Sequence, residues 1–238
     1  MIGWTMTAKA DCSMMTAMQQ RGKFITFEGL DGCGKSTQLK KLAAVLRTQG
    51  LSVVTTREPG GTPTAEKIRQ LVLDARTDGL APLAELALMF AARAQHIQEV
   101  IQPAMAKGSI VLCDRFTDST EAYQGGGRKL GTAPVMALHR VLCGNLQPDL
   151  TVLMDSDVTA SLERARRRNT TQGKDGADEN RFEQESRTFF RRVHNGYLAI
   201  AKREPHRVAL VNARGTPDET HTKILEIVKK KLNLGTST

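Results

Sequence analysis

The run at residues 23–50 constrains this chain more than any other. "KFITFE" is an apolar, β-rich stretch, "GLDGCGKST" a glycine-rich loop, and "QLKKLAAVLRTQG" a helical run, in immediate succession. Gly29, Gly34, Lys35 and Ser36 satisfy G-x-x-x-x-G-K-[ST], a pattern that carries meaning only between a strand and a helix, as here. The glycines let backbone N–H groups curl around phosphate, and the helix N-terminus adds its partial positive charge. Lys35 is expected to reach the outer phosphates, and Ser36 can ligate magnesium. Cys33 is small and fills space. Asp31 raises a question, because a carboxylate beside a polyphosphate is repelled. Either it points away from the phosphates, or another part of the site needs an acceptor there.

Four further short apolar runs follow, "LSVVTT", "SIVLCD", "LTVLMD" and "RVALVN", separated by segments of helical periodicity. Continuously apolar strands alternating with helices predict an α/β, doubly wound parallel sheet covered on both faces. Ligands then gather at the carboxyl ends of the strands. At 238 residues one globular unit is expected, over residues 22–234, after a disordered extension at 1–21. That extension lacks the apolar stretch and cleavage site of a secretory signal.

Lys and Arg outnumber Asp and Glu by 34 to 25, an excess that suits nucleic acid, an anionic membrane surface or a polyanionic small substrate. No apolar run is long enough for a membrane-spanning helix. The cysteines Cys12, Cys33, Cys113 and Cys143 form no CxxC pair, as expected of reduced thiols in a cytoplasmic protein.

Two stretches after strands narrow the chemistry. "TREPGGT" supplies Arg57, Glu58 and a tight Pro59-Gly60-Gly61 turn. "DRFTDSTEAYQGGGR" places Asp114, Arg115, Ser119, Tyr123 and Gln124 near the same sheet edge. Asp114 is read as a magnesium-side carboxylate and Arg115 as a phosphate clamp, against the plain alternative of a surface ion pair. On the predicted helix at about 85–106, Arg93 interrupts an apolar stripe. An unpaired buried charge is expensive, so Arg93 needs a partner: a nucleobase, with Phe90 available for stacking, or a buried ion pair, or escape to the rim. His96 and His139 have no ligand spacing.

The densest basic run, "RARRR" at 164–168, precedes the polar segment "NTTQGKDGADEN". A solvated helix end accounts for such a run when it is taken alone. With a phosphate loop in the same chain, a lid over about 164–181 is favoured, since phosphoryl transfer rests on charge neutralisation.

Together "FEGLDGCGKST", "TREPGGT", "FAARAQH", "DRFTDSTEAYQGGGR", "QPDLT" and "NRFEQES" resemble the thymidylate kinases of bacteria, from about Lys23 to the C-terminal helix. The resemblance implies a five-stranded parallel sheet, a homodimer, and transfer of the γ-phosphate of ATP to dTMP with Mg2+, with neither nucleic acid nor membrane as partner. ATP would lie on Gly29, Leu30, Asp31, Gly32, Cys33, Gly34, Lys35, Ser36 and Thr37, with the metal at Ser36 and Asp114. The dTMP site would comprise Asp31 on the sugar 3′-hydroxyl, Phe90 stacked on thymine and Arg93 on its carbonyl edge. Arg57 and Arg115 would hold the acceptor phosphate and Tyr123 would crowd the 2′ position, with Ser119 and Gln124 beside them. Lys35, Asp31, Arg166 and Arg168 would be catalytic. The phosphate loop lacks the arginine that eukaryotic relatives carry there, and the basic lid replaces it. The lid insert is longer than in compact members, and Asn180 stands where many have Asp.

Overall fold

Each of the five apolar runs forms a strand. The computed structural model describes residues 21–74, 76–77, 79–172, 181–182 and 184–232. In it β1 (Phe24–Glu28), β2 (Val53–Arg57), β3 (Ile110–Asp114), β4 (Leu150–Asp155) and β5 (Val208–Asn212) form one parallel sheet in the order β2-β3-β1-β4-β5. Phe27 pairs with Asp114 on one side and Val152 on the other, and Arg57 pairs with Asp114. The carboxyl ends of β1, β2 and β3 therefore finish nearly level, and the loops that follow them meet.

Alternation along β1 divides the core. Ile25 and Phe27 face α1 (Lys35–Thr48) and α9 (Pro217–Leu232), packing with Leu42, Leu46, Ile224 and Val228. Phe24 faces the other side, with Phe90, Ile101, Val111 and Phe116. That side is covered by α2 (Pro63–Leu73), α3 (Pro82–His96), α4 (Gln102–Ala106), α5 (Thr117–Thr120), α6 (Thr132–Cys143) and α8 (Arg187–Arg203), while α7 (Val158–Gln172) follows β4. Helix starts follow local chemistry. Thr62 accepts the Ala65 N–H ahead of Pro63, and Ser186 accepts that of Phe189.

The helix expected at about 85–106 is present as α3, a π-helical turn at Ile97–Ile101, and α4. A buried ion pair fixes α5 against the sheet. Both terminal nitrogens of Arg207 donate to Asp118, each at 2.7 Å. Paired in this way, two buried charges keep the short helix that carries Ser119 in one place. The expected extension lies outside the described residues up to position 20.

Candidate functional site

The glycine-rich loop closes tightly between β1 and α1. Lys35 is buried and folds back over it, donating from Nζ to the carbonyls of Leu30 at 2.9 Å and Gly29 at 3.2 Å. Gly32 sits at φ +77°, where an added Cβ would fall 2.1 Å from the Ser161 carbonyl oxygen, so any side chain there would force α7 away from the loop. Cys33 is buried and packs into the core, as expected. Ser36 and Thr37 are exposed at the start of α1. Ser36 Oγ donates to Asp114 Oδ2 at 2.6 Å. Two oxygen donors, one anionic, placed together at the helix N-terminus suit a hard divalent cation.

Asp31 points out of the loop's concavity and into an adjoining cleft. The cleft, open to solvent, lies at the carboxyl ends of β1, β2 and β3. Asp31 Oδ1 accepts from Arg115 Nη2 at 2.7 Å, and its Oδ2 from the Tyr123 hydroxyl at 3.0 Å. Burial pushes the Asp31 carboxyl up, but the Arg115 and Lys35 charges outweigh that and hold it well below the usual carboxylate range. The repulsion posed by the sequence is thus resolved by direction.

Arg115 adopts φ +75°, uncommon for a residue with a side chain. Its bonds to Ser119, Tyr197, Asp31 and Tyr123 hold it there. Beneath it lies Glu28, buried and accepting from the Phe116 N–H, Ser119 and Tyr197. Burial, then the nearby Asp118 charge, raises the Glu28 carboxyl to about 7.

Deeper in the cleft Arg93 is buried and its partner is Glu58, at 2.7 Å from Nε. Its Nη2 donates to Phe116 O and Thr120 Oγ1, while Nη1 is buried without a hydrogen-bond partner. Gln124 lines the same cleft, with its amide nitrogen on Glu85 at 2.8 Å. Asp31, Arg93, Arg115, Ser119, Tyr123 and Gln124 are therefore brought together as expected.

Two expected residues are not. Phe90 is 0% exposed and belongs to the core with Phe24 and Phe116; the neighbouring Met89, 8% exposed, lines the cleft instead. Met89 and Phe90 point about 100° apart on α3 and both lie within one turn of Arg93; Phe90 packs against the guanidinium in the core, and Met89 borders the open cleft. Arg57 lies outside the cleft lining, 56% exposed and paired with Glu66 Oε2 at 3.0 Å. The cleft's additional cation is Arg69 on α2, which donates to Pro59 O at 3.0 Å. Met89, read in the sequence only as part of an apolar stripe, and Arg69 and Phe182 were not assigned to the site.

Of the arginines in the basic run, Arg164 reaches the phosphate loop, with Nε 2.7 Å from Gly32 O. Arg166 is exposed on α7, and the Arg168 side chain lies outside what is described. Residues 173–180, including Asn180, also lie outside the described residues. Beyond them Arg181 donates to Glu85 Oε2, and Phe182 lines the cleft.

The family model for thymidylate kinase matches residues 27–224. A thymidylate kinase from Geobacter sulfurreducens is 46% identical over 211 residues, covering 89% of this chain and 98% of the relative. One from Pseudomonas syringae pv. tomato is 48% identical over 213 residues, covering 90% and 98%. The crystal structure of thymidylate kinase from Ehrlichia chaffeensis superposes with a TM-score of 0.69 at 32% identity, over 88% of this chain and 99% of that one. A phosphate loop that turns its carboxylate into a neighbouring cleft, joined to this likeness over most of its length, places the chain in the thymidylate kinase family.

Proposed function

We propose that the chain transfers the γ-phosphoryl group of ATP to dTMP, giving ADP and dTDP. The observation that carries this is the position of Asp31: one residue belongs both to the phosphate loop and to the cleft, so donor and acceptor phosphates would meet at their junction. An acceptor phosphate oxygen attacks the γ-phosphorus as the bond to the bridging oxygen of ADP breaks, with no bond to the protein. What the chain supplies is position and charge.

The loop N–H groups and Lys35 hold the donor phosphates, and Arg115 with Arg69 provides cationic charge for the acceptor. Asp31, already an acceptor for two donors, takes the sugar 3′-hydroxyl, and Tyr123 beside it leaves little room for a 2′-hydroxyl. Met89 lies under the base, and the unpaired Nη1 of Arg93 meets a base carbonyl. Ser36 and Asp114 would hold Mg2+, whose chemistry is neutralisation of phosphate charge. Arg166 and Arg168 act from the lid. Exposed Leu83 on α3 and Val141 and Leu142 on α6 support a homodimer. The catalytic unit is proposed to span 22–234, in the cytoplasm. No helix among the described residues is long and apolar enough to cross a membrane.

The test is ATP consumption against a panel of acceptors. dTMP should be turned over best, dUMP less well, and ribonucleotides and thymidine least. Equal turnover of CMP or AMP would overturn the reading.

A further inference from the structure

Arg93 is held by more than its own contacts. Its Nε–H is spent on Glu58 Oε2 and its Nη2 on Phe116 O and Thr120 Oγ1, with the Phe90 and Phe116 rings 4.8 and 5.2 Å from the guanidinium carbon. This leaves one nitrogen, Nη1, buried and unpaired. A buried donor kept without a partner is costly, and on a residue that lines the cleft it suits an acceptor atom of whatever enters there.

The Glu58 carboxylate holds the Nε edge of that guanidinium, opposite the Phe116 and Thr120 contacts on Nη2, and its own orientation is fixed from behind. Its second oxygen, Oε1, lies 2.9 Å from His96 Nδ1, and His96 Nε2 lies 2.6 Å from Thr56 Oγ1. The hydrogen-bond logic assigns the tautomer: an ionised Glu58 accepts, so Nδ1 carries the proton and Nε2 accepts from the Thr56 hydroxyl. Burial pushes the Glu58 carboxyl up, yet Arg93 and His96 outweigh it and keep the carboxyl below its usual range.

The backbone makes room for this ring. Gly61 sits at φ +86°, and a Cβ there would come within 2.6 Å of His96 Cδ2 and Nε2. His96 is itself 0% exposed and absent from the cleft wall. The Pro59-Gly60-Gly61 turn, which the sequence showed only as a tight turn, is thus also the space into which the histidine fits.

We propose that His96 is a positioning residue for base selection: through Glu58 it fixes the Arg93 Nη1 donor toward a pyrimidine carbonyl, so that a base presenting an amino group at that place is rejected. This rests on the reading of the cleft as the dTMP site. The acceptor phosphate and sugar are assigned to other side chains, Arg115, Arg69 and Asp31, so a misaligned Arg93 donor costs the base contact alone.

The experiment uses the purified chain and compares dTMP with dCMP, which carries an amino group in place of the carbonyl and lacks the 5-methyl group. The methyl difference is common to every variant, so a change in the preference reports the carbonyl contact. His96→Leu removes the donor to Glu58 and keeps apolar bulk. It should raise KM for dTMP about tenfold and shrink the dTMP-over-dCMP preference in kcat/KM by about tenfold, while KM for ATP and kcat stay within about twofold. His96→Asn presents an amide N–H near the position of Nδ1 and should recover most of both changes, which a merely structural defect would not predict. An unchanged preference in His96→Leu, or His96→Asn no better than Leu, overturns the proposal. Should His96→Leu fail to fold, Thr56→Val removes the hydroxyl behind Nε2 at nearly constant volume. A preference shifted in the same direction by about threefold supports the relay, and an unchanged one overturns it. If the wild type itself does not prefer dTMP, the reading of the cleft fails first, independently of His96.

Discussion

Met89 and Phe90 divide wall from core, and two substitutions separate them. Phe90→Leu removes a ring that is 0% exposed and stands 4.8 Å from the Arg93 guanidinium carbon, but keeps apolar bulk. The lost cation–π contact and the partly filled void are together worth on the order of 1–2 kcal/mol. In a chain of this size each kcal/mol moves the midpoint by about 2–4 °C, so Tm should fall by about 2–8 °C. KM for dTMP should stay within about threefold, because the ring does not face the cleft and Arg93 keeps its bonds to Glu58, Phe116 and Thr120. Met89→Ala has the opposite signature. It opens the cleft wall proposed to lie under the base and would forfeit about 1–3 kcal/mol of contact, raising KM for dTMP by about tenfold or more. Its stability cost lies near the lower end of the usual 2–5 kcal/mol, since part of the side chain already borders open space. Thermal melting monitored by circular dichroism and steady-state kinetics at saturating ATP give both numbers. A tenfold rise in KM for Phe90→Leu at unchanged Tm, with Met89→Ala kinetically normal, would refute this division and restore Phe90 to the wall.

Replacement of Asp31 by Ala removes the acceptor proposed for the 3′-hydroxyl. A 3′-deoxy acceptor should be penalised about one to two decades in the wild type and much less in Asp31→Ala, and equal penalties in both would exclude the contact. Arg166→Ala with Arg168→Ala should lower kcat by about 10³-fold with a smaller effect on KM for dTMP, whereas near-normal kcat would make the run a solvated face. Glu28 predicts a pH effect. Its carboxyl is raised to about 7 by burial and by Asp118, so the folded chain holds a proton that the unfolded chain releases near 4.5. The stabilisation from that proton is full below about 4.5 and is lost as pH rises through about 7. Denaturant melts should therefore show wild type losing stability relative to Glu28→Gln across that window; parallel curves would exclude the raised carboxyl.

The sequence by itself determined the elements and the anion site. Apolar runs such as "SIVLCD" and a glycine loop set between strand and helix are local patterns, and local patterns fix which backbone conformation forms. They also carried most of the cleft, because Asp31, Arg115, Ser119 and Tyr123 follow strand ends and a parallel sheet brings strand ends together. Tertiary structure alone decided which way side chains face. One residue along a helix is about 100° of rotation, and the rotation of α3 is set by packing against the sheet and α6, which chose Met89 over Phe90 for the cleft. Packing likewise turned Arg57 outward onto Glu66 and brought in Arg69 from a different helix. His96, with no ligand spacing in the sequence, acquires its place from a contact with Glu58 across 38 positions of chain. No short-range pattern records such a pairing, because it exists only once β2 and α3 have packed.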